Sequence, residues 1–495
     1  MASGVRARAF DGDQGLIRTR RRGSRPHDSA FRAEFGLVTS VVIIGGGPGG
    51  YEAALVAAQL GAQVSIVEAH GWGGSAVLSD CVPSKTLIAT AEVVTMASES
   101  GALGVRIHDQ APSPGVVHVD MVEVNSRIKN LATAQSHDVQ TSLTNAGIAL
   151  IRGSARLKSA HVVAVNDEEL VADVILIATG ASPRIVAGSE PDGERILTWE
   201  QIYDLPTLPE KLIVVGSGVT GAEFASAYNA LGSEVVLISS RTRVLPNEDP
   251  DAAAVVEEVC RHRGMVIMSN ARATSVERTE TGVRVVLQSG EVVEGTHCLM
   301  AVGSVPNTAD LGLDGLGVAL DDAGFIVTDK VSRTSVAGIY AAGDCTGILM
   351  LASTAAMQGR IAMRHAMGDA VVPLDLKGVC ANVFTDPEIA TVGWSQADID
   401  NGLIEATSVH LPLATNARAK MSGVTHGFVK LFCRPGTGIV VGGVVVAPKA
   451  SELIYPIAIA VDQQLSVDQI ANSFTVYPSM TGSIAEAARR LHLRS

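Results

Sequence analysis

The sequence predicts an α/β protein with two nucleotide-binding domains of the Rossmann type and a smaller C-terminal α+β domain. Two observations predict the two Rossmann-type domains. The first is that a strand, a glycine-rich turn, a helix and a further strand follow one another twice along the 495-residue chain. Both units contain the continuous Val- and Ile-rich strands that are typical of a buried parallel sheet. A third observation, a change in the sequence pattern after about residue 372, predicts the separate C-terminal domain.

The first unit begins with the strand Val41–Ile44, which runs into the turn Gly45-Gly46-Gly47-Pro48-Gly49-Gly50. A helix is predicted from Tyr51 to Leu60, and the strand Val64–Val67 ends in Glu68. The glycines permit a tight turn and the close approach of the backbone to a pyrophosphate, and the N-terminus of the helix favours phosphate charge. Glu68 can accept a hydrogen bond from a ribose 2′-hydroxyl. In this complete context the turn predicts a dinucleotide site.

The second unit repeats this plan with the strand Lys211–Val215, the turn Gly216-Ser217-Gly218-Val219-Thr220-Gly221 and the strand Glu234–Ile238. This last strand ends in Ser239-Ser240-Arg241-Thr242-Arg243 and has no acid. Without a carboxylate nothing repels a 2′-phosphate, and a nearby arginine can pair with one. The alternative is that the two arginines are solvated surface charges. We therefore expect NADH or NADPH here, with a slight preference for NADPH.

The C-terminal part lacks a glycine-rich phosphate loop. The segments Val383–Val392, Phe428–Phe432 and Ile439–Val446 are predicted as strands of an antiparallel sheet, with helices around Ser451–Asp462 and Ser483–Leu491. We expect this domain to serve association rather than cofactor binding.

Composition excludes several classes of function. A net charge of −13 argues against a nucleic-acid surface. The six cysteines include no Cys-x-x-Cys pair, so neither a zinc knuckle nor a secreted disulfide framework is indicated, and a cytoplasmic location is expected. The histidines lack metal-ligand spacing, and the apolar runs are far shorter than the ~20 residues that a spanning helix needs.

The first 37 residues are basic and aperiodic, with glycine and serine mixed in. We interpret 1–37 as a disordered extension or a misassigned start, with translation then beginning at Val38, in preference to a transit-type peptide.

The segment from Gly73 to Lys85 reads Gly-Gly-Ser-Ala-Val-Leu-Ser-Asp-Cys-Val-Pro-Ser-Lys. It has the frame of a redox-active dithiol loop, Gly-Gly-x-Cys-x-x-x-x-Cys-x-Pro-Ser-Lys. Ala76 stands at the position of the first Cys, and Cys81 is kept. A dithiol reductase attacks with one thiolate and resolves the mixed disulfide with the other. With Ala76 this cycle cannot close within the loop.

Together these motifs resemble the flavoprotein disulfide reductases, lipoamide dehydrogenase most of all, over nearly everything after residue 38. Further matching segments occur in the same order along the chain: Ala178-Thr179-Gly180, Glu223, Gly303–Asn307, Ile339–Asp344, Leu351–Ser353 and Phe384–Glu388.

The resemblance implies a resident FAD and an exchanging NAD(P)H. The positions that it assigns to FAD are Gly45, Gly47, Gly50, Glu68, Gly73, Gly74, Ser75, Ala76, Lys85, Ala155, Thr179, Gly180, Asp344, Leu351 and Ala352. Those that it assigns to the nicotinamide dinucleotide are Gly216, Gly218, Gly221, Ser239, Arg241, Ala273 and Gly303. Lys85 would pair with Glu223 near the reactive edge of the isoalloxazine ring, the alternative being a purely structural ion pair.

A second departure from the family lies near the C-terminus. Lipoamide dehydrogenases have His-Pro-Thr-x-x-Glu there, whose His and Glu form a base dyad that reaches across a dimer interface. In this sequence Tyr477 stands at the His position and Gly482 at the Glu position. A tyrosine, with an ordinary pKa of about 10, is a poor base at neutral pH but can donate to a carbonyl. We therefore expect no activity on disulfides. Cys81 is either a sulfenic-acid centre or a packing residue, and we favour packing.

The pattern resembles the lipoamide-dehydrogenase-like NAD(P)H quinone reductases of bacteria, which share both losses. Parallel details are Asp80–Lys85 and Asn416–Met421. The resemblance implies hydride transfer from NAD(P)H through FAD to quinones or similar small acceptors, with Lys85, Glu223 and Cys81 at the flavin and Tyr477 reaching in from a second subunit. The alternatives are a soluble pyridine nucleotide transhydrogenase and a non-catalytic flavoprotein. A homodimer or a dimer of dimers is expected.

Four domain ranges follow from this plan. They are an extension or misassigned start (1–37), an FAD-binding domain (38–188 with 308–371), an NAD(P)-binding domain (189–307) and a dimerisation domain (372–495).

Overall fold

The computed structural model describes residues 38–112 and 117–492. The interpretation of 1–37 as an extension or a misassigned start therefore lies outside the described residues. From Thr39 onward the chain forms one compact unit.

Strands and helices are numbered in chain order. The strands are β1 (Ser40–Ile44), β2 (Gln63–Glu68), β3 (Ala149–Arg152), β4 (Ala155–Ser159), β5 (Val162–Val165), β6 (Glu168–Val171), β7 (Val174–Ile177), β8 (Ala181–Pro183), β9 (Ile196–Leu197), β10 (Lys211–Val215), β11 (Glu234–Ile238), β12 (Val266–Met268), β13 (Ala273–Arg278), β14 (Val283–Leu287), β15 (Val292–Gly295), β16 (His297–Met300), β17 (Ser304–Pro306), β18 (Ile339–Ala341), β19 (Ala381–Val383), β20 (Glu388–Gly393), β21 (Thr407–Pro412), β22 (Phe428–Cys433) and β23 (Val440–Ala447). The helices are α1 (Pro48–Gln59), α2 (Gly74–Leu78), α3 (Cys81–Glu99), α4 (Met121–Asn145), α5 (Val219–Leu231), α6 (Pro250–His262), α7 (Ala352–Ala366), α8 (Gln396–Asp400), α9 (Ala417–Met421), α10 (Ala450–Leu453), α11 (Tyr455–Asp462), α12 (Val467–Ala471) and α13 (Gly482–Arg490).

The first predicted unit forms a five-stranded parallel sheet in the order β18-β7-β1-β2-β3. Its central strand β1 is almost wholly buried, as its run of Val and Ile requires. Strand β18 comes from much later in the chain and completes the edge beside β7.

The second unit forms a parallel sheet of the same design, in the order β12-β11-β10-β16-β9. In both units the strand before the glycine-rich turn is central, and the strand after the helix lies beside it. The prediction of two Rossmann-like domains is confirmed.

Short antiparallel elements accompany the two parallel sheets. Three-stranded sheets are formed by β4-β5-β6 and by β13-β14-β15, and β8 pairs with β17. The β8–β17 pair brings together the segment that leaves the first sheet and the segment that returns from the second. The domain boundaries given above stay predictions.

The C-terminal part forms an antiparallel sheet in the order β19-β20-β23-β22-β21, so the predicted α+β domain is confirmed. The prediction of one strand over Val383–Val392 is wrong, because β19 ends at Val383 and β20 begins at Glu388. The intervening turn has a tertiary partner, since the Phe384 N–H donates to the Glu223 carboxylate. Helix α4 was not predicted. Asp120 caps its N-terminus by accepting from two backbone N–H groups.

Within the described ranges, no helix is both long enough and apolar enough to cross a membrane.

A buried ion cluster ties the C-terminal sheet to the second unit. The Lys430 side chain on β22 is 5% exposed, and its Nζ lies 3.0 and 2.9 Å from the two carboxylate oxygens of Asp249. It also lies 2.6 Å from Asp251 Oδ2. Asp249 in turn caps α6. Among the described residues, the partners of the buried Asp249 carboxylate are Lys430 and two N–H groups of α6.

Replacement of this lysine, Lys430→Met, is expected to destabilise the protein by about 3–5 kcal/mol, because it leaves a buried carboxylate without its cation. The matched control is Lys449→Met, which breaks the exposed Lys449–Glu92 pair and should cost at most about 1 kcal/mol. Urea midpoints of the two variants measure the difference. Equal midpoints would show that the buried cluster has no such role.

Candidate active site

The first glycine-rich turn has two packed positions and one open position. Gly45 has φ +107°, and a Cβ on it would lie 2.2 Å from the Ala178 carbonyl oxygen. A Cβ on Gly50 would lie 1.9 Å from the Gly45 carbonyl oxygen. In contrast, apart from Gly47 itself and its two chain neighbours, no atom of the described chain lies within 4 Å of a Cβ placed on Gly47. The outer glycines therefore shape the turn, and Gly47 leaves space at the N-terminus of α1.

The second turn repeats this geometry. Gly216 has φ +112°, and its Cβ would lie 2.1 Å from the Ala301 carbonyl oxygen. A Cβ on Gly221 would lie 1.9 Å from the Gly216 carbonyl oxygen, whereas Gly218 faces open space among the described residues. Because the first N–H groups of a helix have no partner within it, each turn offers donors to a phosphate. Both turns fit a dinucleotide pyrophosphate.

The loop that contains Ala76 lies against the first turn. The Gly73 N–H donates to the Gly46 carbonyl oxygen at 2.9 Å. Gly74 has φ +59°, and a Cβ on it would lie 2.8 Å from the Gly47 Cα. Ser75 and Ala76 follow in α2. The fold thus brings the two sequence motifs into contact.

Glu68 lies at the end of β2, as predicted, and is buried. One carboxylate oxygen accepts the Gly46 N–H at 2.6 Å, and the other accepts the N–H groups of His70 at 2.6 Å and Gly71 at 3.1 Å. Glu68 therefore also holds the turn in shape.

Other predicted flavin positions lie at the ends of β7 and β18. The Thr179 hydroxyl donates to the Asn307 carbonyl oxygen at 2.7 Å, and the Asn307 backbone N–H donates to the Gly180 carbonyl oxygen at 3.0 Å. Asp344 follows β18, and burial, together with the charge of Asp80, raises its pKa to about 6. The remaining predicted positions begin elements, with Leu351 and Ala352 at the start of α7 and Ala155 at the start of β4.

Lys85 and Glu223 form a hydrogen-bonded ion pair, with 2.8 Å between Lys85 Nζ and Glu223 Oε2 and with side chains 30% and 4% exposed. The other Glu223 oxygen accepts the Phe384 N–H at 2.9 Å. The Phe384 ring lies 4.9 Å from Lys85 Nζ. Burial by itself would lower the pKa of Lys85, but the charge and hydrogen bond of Glu223 outweigh it and raise that pKa. Lys85 therefore carries a stable positive charge.

Cys81 is the first residue of α3 and is half-buried. Burial raises the pKa of its thiol to about 12, and the negative charge of Asp80 adds to this rise while Lys85 opposes it. The nucleophilic and oxidisable form of cysteine is the thiolate. At neutral pH Cys81 is a thiol, which supports the packing interpretation.

At the end of β11 the two arginines differ. The buried Ser239 hydroxyl lies 2.7 Å from the Ser217 hydroxyl of the glycine-rich turn. Arg243 donates to the carbonyl oxygens of Pro246 and Glu248, both at 2.9 Å, so it shapes its own loop. Arg241 is exposed, and its guanidinium has no hydrogen bond or ion pair within the described chain.

Two further positions assigned to the nicotinamide site lie on β-elements of the second unit. Ala273 begins β13, and Gly303, with φ +94°, precedes β17.

Tyr477 is 85% exposed, and no hydrogen bond within the described chain ties it to Lys85, Glu223 or Cys81. It lines a cleft of about 250 Å³ in the C-terminal domain. The residues around this cleft are Leu411, Thr415, Asn416, Ala417, Thr475, Val476, Tyr477, Pro478, Ser479, Gly482, Ser483 and Glu486. Among the described residues, the cleft beside Tyr477 includes none of Lys85, Glu223 and Cys81.

Sequence reasoning missed two residues of this site. Phe384 lies within the family motif Phe384–Glu388. Its hydrogen bond to Glu223 joins residues 161 positions apart in the sequence, and no local pattern indicates this contact. Asp80 was noted only as part of the Asp80–Lys85 segment. Burial, with a further contribution from Glu200, raises its pKa although Lys85 opposes the rise.

Comparison with known proteins identifies the family. The sequence pattern described as "Pyridine nucleotide-disulphide oxidoreductase" matches residues 39–359, and the dimerisation domain of the same family matches 379–488. The chain belongs to the pyridine nucleotide-disulphide oxidoreductases. As a member of this family it is an oxidoreductase that binds FAD and uses NAD(P)H.

Several relatives match almost the whole chain. An NAD(P)H dehydrogenase (quinone) of Mycobacterium tuberculosis is 53% identical over 470 residues, which cover 92% of this chain and 94% of that protein. Dihydrolipoyl dehydrogenase 2 of Haloarcula marismortui is 34% identical over 91% of this chain and 96% of its own. Among solved structures, LpdA from Mycobacterium tuberculosis is 52% identical, with a TM-score of 0.87 over 92% of this chain and 100% of that one. The HOCl-induced flavoprotein disulfide reductase RclA of Escherichia coli is 26% identical, with a TM-score of 0.80 over 91% and 99%.

A methyl group at the open position of the first turn, Gly47→Ala, should leave the fold intact and weaken FAD binding at least about tenfold, because it occupies the space beside the helix N-terminus. Bound flavin per protein, read from the visible spectrum during dialysis, measures this. The control is Gly378→Ala, which also faces open space among the described residues but lies outside both turns. Equal flavin retention in the two variants would contradict the assignment.

Removal of the exposed guanidinium, Arg241→Ala, should raise the KM for NADPH about tenfold or more and leave that for NADH nearly unchanged, because a charge-assisted hydrogen bond to a 2′-phosphate is lost. Steady-state kinetics with both nucleotides measure the split. The matched control for a lost surface charge is Arg272→Ala, which removes an exposed guanidinium from the loop before β13. A parallel change in both KM values would exclude recognition of the 2′-phosphate.

Proposed function

We propose that this protein transfers a hydride from NAD(P)H by way of FAD to a quinone or a similar small acceptor, and not to a disulfide. The observation that carries this proposal is a matched set of losses. Ala76 replaces one thiol of the loop, and Tyr477 and Gly482 replace both members of the base dyad. The Lys85–Glu223 pair and both dinucleotide turns are kept. The 53% identical relative, named NAD(P)H dehydrogenase (quinone), supports the same acceptor.

The ion pair has a clear role in such a reaction. Bound FAD supplies the two-electron step between the nicotinamide and the acceptor. Lys85 holds a positive charge where negative charge develops, and a cation fixed in advance needs little reorganisation during the reaction. Glu223 keeps that cation in place, while the Phe384 N–H fixes the Glu223 carboxylate.

Tyr477 is proposed to act from a second subunit. It is exposed together with Phe474 and Val476, and an apolar patch of this kind is typical of an interface. The chain also contains the family's dimerisation domain. A homodimer, or a dimer of dimers, would place the Tyr477 hydroxyl where it can donate to a quinone oxygen.

A cytoplasmic location is part of the same proposal, because all six cysteines are free thiols, as in a reducing compartment. The transhydrogenase alternative is not supported, because the 53% identical relative is named for quinone reduction.

An acceptor panel run on the purified holoenzyme tests this proposal. Anaerobic NADPH should bleach the bound flavin, and menadione should then reoxidise it rapidly. Lipoamide and glutathione disulfide should not. If NAD(P)H were oxidised no faster with menadione than without it, quinone reduction would be excluded. Measurable dihydrolipoamide oxidation at ordinary enzyme concentrations would contradict the proposed loss of disulfide chemistry.

A further inference from the structure

The turn between β19 and β20 is bound to helix α5 at two points. The Phe384 N–H donates to the Glu223 carboxylate at 2.9 Å, and the Asp386 N–H donates to the Ser226 hydroxyl oxygen at 3.2 Å. Glu223 and Ser226 are three positions apart in α5, so their side chains lie on one face of the helix. The turn therefore has a second attachment beyond the one beside Lys85.

Arg263 holds the Asp386 end of this turn. It follows directly after α6. Its Nη1 lies 2.9 Å from Asp386 Oδ2 and donates to the Asp386 carbonyl oxygen at 3.4 Å. Its Nη2 lies 3.1 Å from a carboxylate oxygen of Glu99, the last residue of α3. Because a guanidinium presents its donors in a rigid, planar fork, these contacts fix Asp386 relative to α3.

The backbone of Arg263 is bound to the same face of α5. The Asn229 side-chain amide donates to the Arg263 carbonyl oxygen at 3.4 Å, and Asn229 lies three positions after Ser226. The side chain of Arg263 is 24% exposed and that of Asp386 is 34% exposed. Since both ends of the arginine are held in a partly desolvated contact, this ion pair differs from a freely moving surface pair.

The Arg263 contacts repeat the plan of the Lys85–Glu223 pair. In both places a charged group of the second unit, Glu223 or Arg263, binds an opposite charge on α3 and a group of the turn. The turn is thus held between the same two units at Phe384 and, two residues later, at Asp386.

Lys85 depends on the position of this turn in two ways. The Phe384 N–H binds the Glu223 carboxylate, whose other oxygen binds Lys85. The Phe384 ring also lies 4.9 Å from Lys85 Nζ. Because the Glu223 side chain is only 4% exposed, loss of the N–H donor would leave a buried carboxylate oxygen short of a partner. A shift of the turn would therefore move or weaken the Lys85 cation.

We propose that Arg263 is a positioning residue for flavin reduction by NAD(P)H. By binding Asp386 it holds the turn against α5, and the turn in its place fixes the Glu223 carboxylate and the Lys85 cation. Arg263 acts only through these groups. This inference rests on the proposed role of Lys85 at the flavin, and it does not depend on which acceptor is reduced.

Arg263→Gln removes the cation from the turn. Anaerobic stopped-flow reduction of the bound flavin by NADPH, without an acceptor, should have a limiting rate about tenfold lower, because a small misplacement of a group at the reacting centre costs at least this much. The NADPH concentration for half-maximal rate should change little. The reduction potential of the flavin should become more negative, since a displaced cation favours added electrons less. Asp386→Asn should reproduce both effects, and Arg263→Lys should recover part of the rate.

Two control variants separate this role from a general loss of charge. Arg261→Gln removes another arginine from the end of α6, one whose partner is Glu257 in the same helix. Glu99→Gln removes the exposed partner of Arg263 and leaves the contact with Asp386. Both controls should keep the wild-type rate of flavin reduction and the wild-type potential.

Unfolding in urea gives a readout that is independent of activity. If Arg263 acts through the Lys85–Glu223 pair, the free-energy losses of Arg263→Gln and Lys85→Met should be coupled, so that the double variant loses less than the sum. Arg263→Gln combined with Lys449→Met, which breaks a separate surface pair, should be additive.

Additive losses for Arg263→Gln and Lys85→Met would overturn the inference. It would also be overturned if Arg263→Gln kept the wild-type rate of flavin reduction while Lys85→Met slowed it, and the proposed role of Lys85 would then stand. If Lys85→Met itself kept the wild-type rate, that role and the inference would fail together. Failure of quinones to reoxidise the flavin would contradict the proposed acceptor alone, because these measurements contain no acceptor.

Discussion

The hydrogen-bonded ion pair between Lys85 and Glu223 is the interaction on which the site depends. It joins helix α3 of the first unit to helix α5 of the second, and the Phe384 N–H adds the C-terminal domain. A charge as buried as that of Glu223 must be compensated, and both of its partners come from other domains. The same contacts that link the two units and the C-terminal sheet therefore also hold a cation where we propose that the reaction takes place.

The two glycine-rich turns share one local geometry, and we propose that each binds a dinucleotide. In each turn a positive φ and two close backbone approaches require glycine, and a third glycine faces the open N-terminus of a helix. The sites differ at the end of the following strand. Glu68 is held there by three backbone N–H groups in the first unit, and the small, buried Ser239 replaces it in the second.

Ala76 and the acidic Asp80 lie in the same loop. Ala76 removes one thiol, and burial beside Asp80 keeps the remaining Cys81 protonated. The same carboxyl raises the pKa of Asp344.

The sequence by itself determined the two Rossmann units, the α+β C-terminal domain and the lost thiol, because strand periodicity, glycine turns and motif spacing are local properties of the chain. It did not show that the Phe384 turn interrupts a strand to reach Glu223, that Arg243 binds its own loop while Arg241 stays exposed, or that half-buried Asp80 between α2 and α3 has a raised pKa. Only the tertiary structure decided these points, because burial, pairing and charge crowding depend on residues that lie far apart in sequence.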